Sequence, residues 1–153
     1  RGNTIAGGYY NNEEASKAAI DEEGYFGTGD VASIDEQGFL RLTDRAKDLI
    51  KSGGEWISSI DLENRAMSHP DVENCAVIAI PHEKWDERPL LVVVPVEGKK
   101  PSKEELIKHL EGHFAKWQMP DDVVYEDKLP LTATGKVSKL TLRQKYENYT
   151  LAS

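Results

Sequence analysis

The chain has 153 residues, with 27 Asp and Glu against 19 Lys and Arg and hence a formal net charge of −8 at pH 7. That length holds one domain, or one domain plus a fragment of another, and 39% hydrophobic with 30% charged residues describes a chain that buries a core. The acidic balance speaks against a nucleic-acid partner, which would need a basic stripe to neutralise phosphates, and the single cysteine, Cys75, excludes a disulfide framework or a multi-cysteine zinc site.

The first residues, Arg1 to Asn12, mix glycines with a Tyr9-Tyr10 pair and read as an edge or turn segment without its partners. The expectation is an excised piece of a longer protein. Glu13–Ala19 has weak helical character. Val31–Ile34 and Phe39–Leu42 flank Asp35-Glu36-Gln37-Gly38, which predicts a β-hairpin. Asp44–Lys51 reads as a strand or a hinge, Ser52-Gly53-Gly54 as a turn, and Trp56-Ile57 as the return. Ser58 followed by Asp61 is a capping match that opens a helix from Ile60 to Ser68, closed by Pro70. Cys75–Ile80 and Leu90–Val96 read as strands buried on both faces, with Pro81 and Pro89 bracketing a polar link. Ser102 and Glu105 form a capping box for a helix predicted over Lys103–Trp117, whose inner face is Leu106, Ile107, Leu110 and Phe114. A strand over Asp121–Tyr125, a loop over Leu129–Gly135 and a helix over Ser138–Tyr146 complete the pattern. The fold class expected is α+β: a small sheet flanked by helices over 44–153, preceded by a β-rich remnant over 1–43. The longest apolar runs fall far short of the roughly 20 residues of a membrane helix, so no transmembrane segment is expected. With no charged and apolar leader at its start, the chain is expected to be cytoplasmic.

Several residues invite chemistry. Gly135-Lys136 does not complete a phosphate-cradling P-loop, because Pro130 stands where that loop needs glycine and Ser138 comes one place late. What remains is a lysine on a glycine loop, flanked by Thr132, Thr134 and Lys139, which either serves a developing phosphate charge or is simply solvated. Asp30, after Gly27-Thr28-Gly29, either accepts bonds from a vicinal diol or only forms a turn. His109 and His113 stand at helical i,i+4 spacing, yet no HExxH is present, and a solvent-facing pair rather than a metal site is expected. Cys75 reads as a buried small hydrophobe, Trp85 and Trp117 as packing residues, and Trp56 as an exposed turn residue.

Taken together, three segments resemble the adenylate-forming acyl-CoA synthetases, the AMP-binding enzyme family that includes fatty acyl-CoA ligases, luciferases and peptide-synthetase adenylation domains. Tyr25-Phe26-Gly27-Thr28-Gly29-Asp30 is similar to the family's aromatic-x-x-TGD segment. Thr43 to Ile57 is similar to its interdomain hinge and following loop, and Leu129 to Lys136 to its C-terminal P-x-T-x-x-G-K signature. The resemblance implies that 1–43 ends a large N-terminal AMP-binding domain and that 44–153 is the mobile C-terminal lid. It further implies that Asp30 holds the ATP ribose with help from Arg45, that Lys47 occupies the hinge position, and that Lys136 is the catalytic lysine. Ser52, Gly53, Gly54, Glu55 and Trp56 would line the CoA channel. ATP and CoA are the implied cosubstrates, with Mg2+ accompanying ATP and held mainly by the absent N-terminal domain, which is also the implied partner. No metal site is expected on this chain. The Gly-Gly-Glu-Trp loop and Lys116-Trp117-Gln118-Met119-Pro120 look most like fatty-acid–CoA ligases. An aryl- or short-chain-acid ligase of the same family, or a non-catalytic interaction module that keeps the fold, are the alternatives. The fragment alone is expected to be inactive.

Overall fold

The computed structural model describes residues 1–151. The chain divides into two compact units, Arg1–Ala46 and Lys47–Ser153. The sequence boundary at 43/44 falls inside a strand of the first unit.

In that first unit, helix α1 (Glu13–Ala19) is capped by the Asn12 side chain, which accepts from the Ala15 N–H at 3.0 Å. Strands β1 (Asp30–Ile34) and β2 (Leu40–Arg45) form the expected antiparallel hairpin. Its turn is built by Asp35, whose carboxylate accepts from the backbone N–H groups of Gln37 and Phe39, while Gly38 takes the left-handed φ of 86° that closes it. A bulge between Val31 and Ala32 shifts the register by one residue.

The second unit is a sheet with helices on both faces. Its strands are β3 (Ile50–Ser52), β4 (Glu55–Ile57), β5 (Val72–His82), β6 (Asp86–Pro95) and β7 (Asp122–Tyr125). They lie in the order β4-β3-β6-β5, with β7 running parallel to β6. The period of two in β5 and β6 splits the core: Cys75, Val77, Leu91 and Val93 face one way, and Ala76, Ile78, Ile80, Leu90, Val92 and Val94 face the other. The first set packs under α2 (Ser59–Met67) and α3 (Lys103–Leu110) through Leu62, Ala66, Leu106 and Leu110. The second packs under α4 (Lys139–Lys145) through Leu142, with Leu129 beside it. This α+β architecture is the one the residue pattern implies. The Ser58 cap on α2 and the reciprocal Ser102–Glu105 capping box on α3 are both formed.

Two elements differ from the sequence expectation. Helix α3 ends at Leu110, because Glu111 turns extended (φ −56°, ψ 146°) and Gly112 takes φ 78°; residues Lys116–Gln118 form a separate 3-10 turn. Phe114 nevertheless reaches the same core, which is why the apolar spacing ran on past the end of the helix. Strands β5 and β6 are also longer than their apolar runs, and pass through both prolines: Pro81 pairs with Glu87, and Ala79 with Pro89. Pro81 is tolerated because β5 is an edge strand. Pro89 sits in the gap on β6 between the β3 pairing at Asp86 and the β7 pairing that starts at Leu90, where no strand partner needs its missing N–H. The open edge of β5 is partly covered by Glu63, whose Oε1 accepts from the Val77 N–H at 2.7 Å.

Cys75 is buried with its Sγ 3.5 Å from the Glu63 carbonyl oxygen. Burial, and then the negative charge of Glu63, push the thiol up to about 12. Cys75 is therefore expected to resist maleimide labelling in the folded protein at pH 7 to 8 and to label on denaturation. Fast stoichiometric labelling of the native state would contradict this packing.

Candidate active-site and lid residues

In the first unit the structure brings Asp30 and Arg45 together. They are Cα partners across β1 and β2, and the Arg45 Nε lies 3.4 Å from Asp30 Oδ1. The bulge is what makes this pair. In the register that holds from Ala32 to Ile34, Asp30 would stand opposite Asp44, a repulsive match; one extra residue places Arg45 there instead. Two turns secure the corner: the Asp30 N–H donates to Thr28 Oγ1, and the Ala46 N–H donates to the Gly29 carbonyl at 2.9 Å. The Asp30 carboxylate remains partly open to solvent, with an adjacent guanidinium that can take part of a ligand's charge.

In the second unit Lys47 is exposed and is its first residue. Its neighbour Asp48 is held by Arg143 on α4, with Oδ1 accepting from NH1 at 2.8 Å. The Ser52–Trp56 loop is the β3–β4 turn. Gly53 and Gly54 both adopt positive φ (60° and 90°), as a tight hairpin turn demands. At Gly53 the requirement is also steric, since a Cβ there would lie 2.8 Å from the Trp85 ring. The Gly53 N–H donates to the Trp85 carbonyl at 2.9 Å, so this turn is fastened to the one joining β5 and β6. Trp56 is exposed at 56%, as the sequence implied.

Beside this loop lies a cleft of about 340 Å³ lined by Ser52, Gly53, Glu55, Trp85, Arg88, Trp117 and Asp121. Here the sequence expectation is corrected. Trp85 and Trp117 are not core residues: they are 42% and 43% exposed and line the cleft, with the Trp85 ring packed against Gly53. Arg88 was missed altogether. It is 7% exposed, and it forks onto Asp121 with Nε–Oδ2 and NH2–Oδ1 both at 2.7 Å. Its position within the charged Asp86-Glu87-Arg88 run made it look like part of a solvated link. The available signal was that this run leads directly into an apolar strand.

Lys136 sits on a hairpin held by its own backbone rather than on a loose loop. Leu131 bridges Val137, the Thr132 N–H donates to the Lys136 carbonyl at 2.7 Å, and the Lys136 N–H donates to Thr132 Oγ1 at 3.2 Å. Gly135 takes φ 80° at the tip. Lys136 is exposed, and no hydrogen bond or ion pair among the described residues ties down its ammonium group. The hairpin leads into α4, whose Lys139 donates to Ser59 Oγ at 2.7 Å and pairs with Glu63 at 2.8 Å. The backbone of the lysine is thus held while its side chain is exposed.

The histidine pair does not form. His113 lies beyond the end of α3, and His109 turns instead to Ser68 and the Arg65 carbonyl, with its ring edge-on to His69 at 5.1 Å. Burial, then Arg65 and His69, lower the pKa of His109 below the ordinary value. Among the described residues no three His, Cys, Asp or Glu side chains converge to hold a metal ion. No helix among the described residues is long and apolar enough to cross a membrane.

Residues 61–136 match the family described as the AMP-binding enzyme C-terminal domain, and the chain belongs to that family of adenylate-forming enzymes. It is 57% identical over 150 residues to a long-chain-fatty-acid–CoA ligase of Thermus thermophilus, covering 97% of this chain and 28% of that protein. It is 56% identical over 127 residues to a 3-methylmercaptopropionyl-CoA ligase of Ruegeria lacuscaerulensis, covering 83% of this chain and 24% of that protein. Among solved structures, ATP-bound MatB from Rhodopseudomonas palustris superposes with a TM-score of 0.87 at 33% identity, over 97% of this chain and 29% of that one. The chain thus spans about a quarter of the length of these relatives, from 24% to 29%.

Proposed function

We propose that this chain is the C-terminal part of an AMP-forming fatty-acid–CoA ligase, with the residues before the hinge at Lys47 ending its large domain and those from Lys47 onward forming the lid. The observation that carries the reading is the division of the chain immediately before Lys47, with the Asp30–Arg45 pair in one unit and Lys136 in the other. A hinge at that point would bring the lysine to the nucleotide and take it away again.

In the first half-reaction a carboxylate oxygen of the acid attacks the α-phosphorus of ATP, and pyrophosphate leaves. Asp30 accepts hydrogen bonds from the ribose hydroxyls, and Arg45 steadies that carboxylate. The Lys136 ammonium bridges the attacking carboxylate and the α-phosphate, offsetting the charge that builds there and holding the two in line. Rotation about Lys47 then withdraws Lys136 and presents the Ser52–Trp56 turn and its cleft. The CoA thiol attacks the acyl carbonyl, the bond to the phosphate oxygen breaks, and thioester and AMP are formed. One lid with two positions lets a single site run two reactions. Magnesium would travel with ATP and be held by the large domain, and the whole enzyme would work in the cytoplasm.

The similarity to the Thermus thermophilus long-chain ligase favours a fatty acid. The near-equal identity to a 3-methylmercaptopropionyl-CoA ligase keeps a short-chain acid as a second reading. A panel of acids in pyrophosphate exchange, run on the longer protein, separates the two, and absence of exchange with every acid would leave only a non-catalytic module. Because the acid pocket lies outside this chain on the proposed reading, the isolated 153 residues are expected to show no measurable acyl-CoA formation. Turnover by the isolated chain would overturn the division of labour proposed here.

A further inference from the structure

We propose that Arg88 is a positioning residue for the thioester-forming half-reaction, setting the Ser52–Trp56 turn and the Trp117 wall of the cleft in one fixed relation. The proposal rests on the reading that this turn serves the CoA step. The guanidinium has five N–H donors, and every one is used within the protein. Nε and one NH2 hydrogen go to Asp121, at 2.7 Å each. The other NH2 hydrogen goes to the Met119 carbonyl at 3.0 Å. NH1 donates to Ser52 Oγ at 2.8 Å and to the Trp117 carbonyl at 2.5 Å.

Two consequences follow from this saturation. Arg88 has no donor left for a ligand, although it lines the cleft, so it acts through its partners and not on substrate. It also links two segments by side-chain bonds, the β3–β4 turn at Ser52 and the stretch 117–121, each of which is seated on β6 or its turn by backbone bonds: the Gly53 N–H donates to the Trp85 carbonyl and the Asp121 N–H to the Pro89 carbonyl. Lysine cannot substitute, since an ammonium offers three donors from one point instead of a planar fork of five. Nor does net stability account for the group, because a buried ion pair contributes little over an apolar packing of the same volume. What the arginine supplies is a direct link between that turn and the Trp117 side of the cleft, which the backbone bonds seating each on β6 do not provide.

The test uses the longer ligase carrying Arg88→Lys, Ser52→Ala or both, with each half-reaction and the melting temperature measured. Arg88→Lys is expected to lower turnover in thioester formation from supplied acyl adenylate and CoA by roughly tenfold to 10²-fold, the scale of a misplaced orienting group. Acid-dependent pyrophosphate exchange is expected to stay within about twofold of wild type. Ser52→Ala is expected to lower thioester formation in the same direction, and to add little in the Arg88→Lys background, since both act on one contact. Equal losses in both half-reactions, or fully multiplicative effects of the two substitutions, overturn the proposal. If Arg88→Lys does not fold, Ser52→Ala decides alone: unchanged thioester formation overturns the proposal. Lys136→Ala, run alongside, separates the two levels. Loss of exchange there with intact thioester formation in Arg88→Lys refutes the Arg88 role and leaves the lid reading standing. Unchanged exchange in Lys136→Ala removes the reading and the proposal together.

Discussion

Lys136→Ala in the longer ligase is expected to reduce acid-dependent ATP–pyrophosphate exchange by roughly 10²-fold or more, the usual scale for removing one preorganised charge contact from a transition state. Thioester formation from supplied acyl adenylate and CoA is expected to survive. The asymmetry has a structural basis. The backbone of Lys136 is fixed by the Thr132 bonds and the Leu131–Val137 bridge, none of which uses the lysine side chain. Alanine therefore removes the ammonium and leaves the hairpin standing. The exposed position also means that its removal opens no cavity, so a general loss of stability is not expected to blur the result.

Lys47→Pro is expected to have the opposite signature. Proline fixes φ near −65° and restricts the residue before it, so a substitution at the hinge stiffens the joint about which the lid must turn. If the lid settles where the first half-reaction needs it, exchange persists while thioester formation falls, by roughly 10²-fold or more, because a gating motion has been lost. Lys47 is exposed, and it lies in the turn between β2 and β3 rather than within either strand. The neighbouring Asp48 keeps its bond to Arg143 at 2.8 Å, so the lid itself is expected to remain folded.

How far the sequence revealed this arrangement depended on whether a contact is local. The hairpin around Asp35 and Gly38, the caps at Ser58 and Ser102, and the strands buried on both faces over 75–80 and 90–96 were legible because propensity, hydrogen bonding and pattern agree within a few residues. The end of α3 was not, because Phe114 keeps the helical spacing while Gly112 breaks the backbone. The facing of Asp30 and Arg45 was half legible: the turn placed their strands side by side, but the bulge at Val31 and Ala32 that aligns them leaves no mark in the pattern. Arg88 was invisible for a plainer reason. Its partners Ser52, Trp117, Met119 and Asp121 are 29 to 36 residues away in the chain, so only the fold shows that this arginine is buried and fully engaged. Trp85 and Trp117 were misjudged with it, since large aromatic residues are usually core, and only the geometry of the β3–β4 turn makes walls of them.

The central claim is that one lid serves two chemistries in turn. The most direct measurement runs both half-reactions side by side on the wild-type ligase, Lys136→Ala and Lys47→Pro, with the same acid and the same supplied acyl adenylate. Exchange lost and thioester formation kept in the first variant, with the reverse in the second, is the predicted result. Parallel losses in both variants, or no loss in either, would contradict it.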